Sequence, residues 1–314
     1  MADPPLIDVQ GVSVRFRRRR TGVFGPPATF RAVAEAELAI GRGEVVGLVG
    51  ESGSGKTTLG RTILRLYEPA EGRILFEGGD ITHLREGRLR PVWRRMALVF
   101  QDPLSSFNPR QTIGTALATP LEVAGRGGEA AGRVVQALAR VRLPSEARDR
   151  YPHELSGGQL QRAALARALM LEPAFLVADE AVSKLDVSVR SQVLNLFRDV
   201  QAATGVSVLF ITHDLHVARF VCDRVAVMFF GRIVESAPAR ELFRNPRHPY
   251  TRALLATLDE AGEEPVSGRA TVDQDAPGCI YRTQCPRRLP RCDEAHPSTA
   301  QAGPGHLLAC YNPG

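Results

Sequence analysis

The chain has 314 residues, 44% of them hydrophobic, a formal net charge of +6 and five cysteines. That length and apolar content support one large packed domain with an appendage, and they exclude a disordered chain. No apolar run reaches the roughly 18 residues of a membrane span, and the opening MADPPLIDVQ lacks the basic start and apolar core of a secretion signal, so a cytosolic protein without a transmembrane segment is expected.

The positive charge is almost wholly arginine, because Lys56 and Lys184 are the only lysines. Arg15, Arg17, Arg18, Arg19 and Arg20 form a basic run able to touch phosphates or lipid headgroups, although a cluster of this size is more often a solvated loop. Residues 6–16 alternate as a strand does, and EVVGLVG (44–50) reads as a buried strand ending in glycine. A helix is expected to follow from Lys56. GRILFEG and RRMALVF, within residues 72–100, are two further strands separated by a charged turn region.

From Gln101 to Tyr151 the pattern becomes helical, with breaks expected at Pro109, Pro120 and Pro144. AFLVADE (174–180) and VSVLFITHD (206–214) are near-continuous apolar runs, each after a helical stretch, as in a parallel sheet buried on both faces. RVAVMFFGRIVESA (224–237) reads as a closing hairpin. Beyond Pro246 the composition turns to Pro, Gly and Cys, which places a domain boundary near residue 240.

Gly50, Gly55, Lys56 and Thr57 satisfy G-x-x-x-x-G-K-[ST] between a strand and a helix. The glycines let backbone N–H groups close around a β-phosphate, the Lys56 ammonium reaches the β- and γ-phosphates, and the Thr57 hydroxyl suits Mg²⁺. A lysine kept here in so lysine-poor a chain fits a need for a compact point charge. Asp179 and Glu180 stand at the carboxyl end of a predicted strand, where open parallel sheets bind ligands: one carboxylate can serve Mg²⁺ and the other an attacking water. A helix dipole favouring acids is the plainer account of that pair. His213 takes the equivalent place one strand over. Ser156, Gly157 and Gly158 open a second helix and offer a second anion cradle, which one γ-phosphate does not need; the economical explanation is that it serves the nucleotide of a second chain.

GESGSGKTT, LSGGQLQR, FLVADE, SKLD and ITHD, in this order and spacing, resemble the ATPase subunit of an ATP-binding cassette (ABC) transporter over roughly residues 6–260. The resemblance implies an α/β P-loop NTPase fold of ABC type: a RecA-like core, an antiparallel β-subdomain and a helical subdomain at about 102–165, in an ATPase domain of residues 1–240. It implies that Phe16 stacks on adenine, and that Gly50, Ser52, Gly53, Ser54, Gly55, Lys56, Thr57 and Thr58 hold the phosphates. Thr57, Gln101 and Asp179 would then serve Mg²⁺. Glu180 would be the catalytic base, His213 the switch histidine, and Gln101 a contact to water and to the membrane subunit. Ser156, Gly157, Gly158, Gln159 and Asp186 would act across the dimer. Two departures stand out: Ala181 where proline is usual, and Lys184 where alanine is usual, at the expected dimer seam.

QDPLSSFNPRQTIG (101–114) and NPRHPYTRALL (245–255) resemble the oligopeptide/dipeptide importers, closest to their F-type ATPase subunit. By that resemblance the partners are a second ATPase subunit, forming a heterodimer, two membrane permeases and an extracytoplasmic substrate-binding protein, with the chain on the cytoplasmic face of the membrane and no nucleic acid bound. Peptides are the implied cargo, with nickel chelates or another small solute second. A soluble ABC ATPase acting on ribosomes or nucleic acid, and a regulatory subunit that no longer hydrolyses, are the rivals. The first is opposed by the single phosphate loop and by the mere 55 or so residues between Gln101 and Ser156, too few for an inserted coiled coil.

Cys279, Cys285, Cys292 and Cys310 crowd the tail, residues 241–314, at spacings that are not diagnostic, since zinc sites usually show closer pairs. Such a density of thiols in a reducing compartment suggests a metal centre. The resemblance to importer tails favours a [4Fe–4S] cluster; His296 and His306 leave zinc open, as are free thiols.

Overall fold

The computed structural model describes residues 4–17, 29–258 and 276–314; Arg18, Arg19 and Arg20 of the basic run lie outside them. The chain divides into two units, one of residues 1–40, 45–83 and 212–314, the other of residues 41–44 and 84–211. It begins in the first unit with β1 (Ile7–Arg17), β2 (Thr29–Ile40), β3 (Val45–Val49), α1 (Lys56–Ile63), β4 (Glu71–Phe76) and β5 (Gly79–Asp80). The second unit supplies α2 (Glu86–Trp93), β6 (Met96–Val99), α3 (Ile113–Val123), α4 (Ala130–Arg140), α5 (Gly157–Ala168), β7 (Phe175–Asp179), α6 (Val187–Thr204) and β8 (Ser207–Thr212). The chain returns to the first unit with α7 (Leu215–Val221), β9 (Arg224–Phe229), β10 (Arg232–Pro238), α8 (Ala239–Arg244), α9 (Pro249–Ala256), β11 (Ala300–Gly303) and β12 (His306–Leu308).

In the first unit β2, β1, β4 and β5 form an antiparallel sheet in that order. Ile7, Val9, Val12 and Val14 of β1 are fully buried, the apolar half of the alternation that marks the strand. β2 was not evident in the sequence: TFRAVAEAELAI is rich in Ala and Glu, poor strand formers, and becomes a strand by pairing with β1 while burying Val33, Ala36, Leu38 and Ile40. β3 pairs in parallel with β9. β9 and β10 make the expected hairpin, and its two turn residues, Phe230 at φ 40° and Gly231 at φ 87°, have the two positive φ values of a type I′ turn. The tail continues that sheet, with β12 antiparallel to β10 and β11 antiparallel to β12.

In the second unit β8, β7 and β6 run parallel, and every residue of β7 and β8 is buried, as their continuous apolar runs imply. Two expectations fail here. The charged segment before RRMALVF is the helix α2, its outward charges including an i,i+4 pair of Glu86 and Arg90. Pro120 does not break α3: Ile113, Ala116, Leu117 and Leu121 keep one buried stripe across it, and the packing of that stripe outweighs the single backbone bond a proline forfeits.

Candidate functional site

β3 is a five-residue buried strand, and the loop after it turns back on the first turn of α1. The glycines are dictated by contacts. A Cβ on Gly50, at φ 149°, would lie 2.1 Å from the Met228 carbonyl oxygen, and one on Gly55, at φ 103°, would lie 2.3 Å from that of Ala32. Neither position accepts any other residue without moving backbone. Lys56 is buried, and its Nζ donates to the carbonyls of Gly50 and Glu51, both at 2.7 Å, and to Ser54 Oγ at 3.3 Å. The ammonium thus sits at the centre of the loop, while Ser52 and Gly53 are exposed at its tip and Thr57 and Thr58 lie partly exposed on the first turn of α1. Backbone N–H groups, a helix start and one buried cation in this arrangement can cradle an anion.

In the same unit Phe16 is exposed near the end of β1, opposite Phe30 in the pairing register, and meets Tyr67 edge to face at 5.3 Å. His213 is exposed just past β8, and Asp214 caps α7 by accepting from the amides of His216 and Val217.

The second unit gathers the expected hydrolytic groups. Asp179, the last residue of β7, is buried; Glu180 follows it, partly exposed, with its carboxylate accepting from Gln101 Nε2 at 2.6 Å. Glu180 has φ 47°, a left-handed conformation that strains a non-glycine residue and is concentrated at functional positions. Its carbonyl accepts from the amide and the hydroxyl of Ser183. Lys184 pairs with Asp102 at 3.6 Å on the surface, and Ala181 is buried.

Ser156 caps α5 through a reciprocal box: its Oγ accepts from Gln159 N at 3.3 Å and its amide donates to Gln159 Oε1 at 3.0 Å. Ser156 and Gly157 are exposed. Gly158 is buried, where a Cβ would meet Val189 Cγ1 at 2.5 Å. Asp186 is exposed at the N-cap of α6. A groove of about 830 Å³ is lined by Trp93, Ser106, Asn108, Gln111, Thr119 and Arg167, among others. Arg167 lies over the Phe107 ring at 4.5 Å and donates to the Ser106 carbonyl, which pins the loop after Gln101 to α5.

The tail cysteines differ in exposure. Cys279 and Cys292 are buried while Cys285 and Cys310 are partly exposed. They are close enough that the other three thiols help burial raise Cys279 to a pKa of about 11. Among the described residues, however, no three or more His, Cys, Asp or Glu side chains stand together as a metal-holding group. Cys292 Sγ accepts from Leu289 N at 3.4 Å, His306 is bonded to Glu235 at 2.7 Å and His296 Nδ1 accepts from Ile280 N at 3.4 Å, so local partners occupy these side chains.

One cluster lay beyond sequence reasoning. Glu235, in β10 and buried, accepts from the amides of Arg247 (2.8 Å) and His248 (3.0 Å) as well as facing His306 Nε2. Tyr250, close by, accepts from the Glu51 amide of the phosphate loop at 3.3 Å. Its signal was the stretch NPRHPYTRALL, whose local pattern states no role.

The model of the family described as "ABC transporter" matches residues 33–183, and that described as "Oligopeptide/dipeptide transporter, C-terminal region" matches residues 234–292. A protein of Brucella ovis named for peptide import and ATP binding is 45% identical over 99% of this chain and 98% of its own length. The oligopeptide transport ATP-binding protein AppF of Bacillus subtilis is 42% identical over 93% of both chains. The glutathione import ATP-binding protein GsiA of Salmonella paratyphi A is 44% identical over 97% of this chain and 48% of its own. Among solved structures, the ATP-binding cassette MJ0796, a dimer in a post-hydrolysis state with ADP and Pi, superposes with a TM-score of 0.66 at 28% identity, covering 74% of this chain and 99% of that one.

Proposed function

The chain belongs to the ATP-binding subunits of ABC transporters, in the oligopeptide/dipeptide branch, and on that premise we propose that it hydrolyses Mg-ATP to drive import of peptides across the cytoplasmic membrane. The phosphate loop carries the proposal: two glycines that tolerate no Cβ enclose one buried lysine. Lys56 exchanges its bonds to the Gly50 and Glu51 carbonyls for the β- and γ-phosphate oxygens, and the loop amides close on the β-phosphate. Phe16 stacks on the base, with Ser52, Gly53, Ser54, Thr57 and Thr58 completing the cradle.

Thr57, Asp179 and Gln101 offer the hard oxygen donors that Mg²⁺ prefers, and the ion would neutralise charge on the transferred phosphoryl group. Glu180 takes the proton of the attacking water. Gln101 donates to that carboxylate at 2.6 Å and so orients it for the water. His213 reports on the γ-phosphate.

Ser156, Gly157, Gly158 and Gln159, with Asp186, present one exposed helix start and one cap that act on the nucleotide of a second ATPase chain, which is a distinct subunit in our reading. The surface around Gln101 meets one of two membrane subunits, and an extracytoplasmic binding protein delivers the peptide. Among the described residues no helix is long and apolar enough to cross a membrane, which suits a peripheral subunit on the cytoplasmic face. By the family resemblance the four tail cysteines would hold a [4Fe–4S] centre; iron and acid-labile sulfide per chain, measured with zinc on anaerobically purified protein, test it.

The test of the central reading is phosphate release by the complex isolated from its native membrane. Two membrane subunits and a second cassette should travel with the chain, and Glu180→Gln should abolish peptide-stimulated hydrolysis. Equal and negligible rates in both proteins would instead identify a regulatory subunit.

A further inference from the structure

NPRHPYTRALL marks the branch to which the chain belongs, and its chemistry is so far unused. The segment is locked at its start. Glu235 accepts from the amides of Arg247 and His248, and His248 caps α9 by accepting at Nδ1 from the Tyr250 amide at 3.0 Å. Tyr250, at the second position of α9, is 3% exposed. Its ring packs on Phe229 at 4.4 Å and on Tyr281 at 5.5 Å; Tyr281 also meets Phe229 at 5.2 Å and His248 at 5.8 Å. Tyr281 belongs to the cysteine-bearing tail, between Cys279 and Cys285, and the Cys279 amide donates to the Cys292 carbonyl at 2.7 Å.

The hydroxyl at the other end of Tyr250 is aimed at the phosphate loop. It accepts from the amide of Glu51, whose carbonyl accepts from Lys56 Nζ at 2.7 Å. One residue of the loop is thereby held from both sides, by Lys56 at its carbonyl and by a buried phenol at its amide. Burial and the charge of Glu51 raise the phenol above its ordinary pKa, which keeps the hydroxyl protonated. Phenylalanine would fill the same volume in the aromatic cluster; what the tyrosine adds is a hydrogen bond to a loop amide.

We propose that Tyr250 is a positioning residue for the phosphate loop, itself held by Tyr281, so that the packing of the cysteine tail sets the affinity of the chain for ATP. This rests on the reading of the loop as a nucleotide site. Loss of the bond removes one restraint on the Glu51 amide, and nucleotide binding must then supply that order.

The experiment is steady-state ATP hydrolysis by the intact transporter complex carrying Tyr250→Phe, Tyr281→Leu or both. Tyr250→Phe should raise the KM for ATP about threefold to tenfold, the equivalent of one hydrogen bond. kcat should stay at the wild-type value, because the bond does not touch the chemical step, and thermal unfolding without nucleotide should fall by no more than one lost hydrogen bond, because the aromatic packing is kept. Tyr281→Leu should raise KM in the same direction, and the double variant should be no worse than the weaker-binding single one, because both act through one contact. A KM unmoved by Tyr250→Phe, or a Tyr281→Leu effect undiminished in the Tyr250→Phe background, overturns the inference. Hydrogen exchange supplies a second measurement: the Glu51 amide should exchange faster in Tyr250→Phe than in wild type, and equal rates overturn it. A wild-type complex without saturable ATP turnover would instead refute the ATPase reading, a result distinct from either.

Discussion

His248 is buried as an N-cap acceptor, and burial lowers its pKa from an ordinary 6.5 to about 3; His296, nearby, is lowered by burial to about 4. Both are neutral in the folded chain at pH 5 and protonated in the unfolded one. The unfolded state therefore binds more protons between the ordinary and the folded pKa, and stability falls as pH falls below about 6.5. Each histidine contributes a slope of about 1.4 kcal/mol per pH unit, or ~2 kcal/mol lost by pH 5. Glu35 adds nothing in that window, because Arg232 holds its carboxyl below an ordinary value of 4.5. Urea unfolding followed between pH 7 and pH 5 should show the combined slope of two protons. Substituting His248→Asn keeps a cap that accepts from the Tyr250 amide while removing one titrating group, so the slope should drop by about one proton. A His248→Asn slope equal to that of the wild type would show that His248 takes up its proton in the folded chain.

Further outcomes follow from the same geometry. Glu180→Gln should cut ATP turnover about 10²- to 10⁴-fold, the usual contribution of a positioned base, in a phosphate-release assay. At the same position Glu180→Gly should be more stable than Glu180→Ala by ~1 kcal/mol in chemical unfolding, the reverse of an ordinary site, because φ is 47°. Gly55→Ala should abolish ATP binding measured by calorimetry, since its Cβ would press to 2.3 Å from the Ala32 carbonyl oxygen, which side-chain motion cannot relieve. Glu235→Gln turns an amide NH₂ towards a backbone donor and should cost ~2 to 3 kcal/mol, read as a lowered thermal midpoint with early proteolysis after residue 276.

The strands β3, β7 and β8 and the glycine-rich loop were legible because each is a contiguous segment whose own residues impose its conformation. β2 was not, since Ala- and Glu-rich residues 29–40 are made a strand by their partner β1. The error at Pro120 has the same origin: a local rule for proline was outweighed by a buried stripe that continues past it. For the tail, the density of cysteines and the family resemblance pointed to a metal centre, but no local pattern announced that β12 joins β10 or that His306 meets a carboxylate 71 residues away in sequence.

What residues next to one another in the chain can do, the amino-acid order determined: a lysine among glycines binds phosphate, and a Ser-Gly-Gly-Gln helix start offers amides to an anion, because backbone geometry and side-chain type suffice for both. Tertiary structure alone decided which distant groups meet. Gln101 holds Glu180 across 79 positions and Tyr250 reaches Glu51 across 199. Such contacts are set by how strands and helices stack, and no short pattern encodes that stacking.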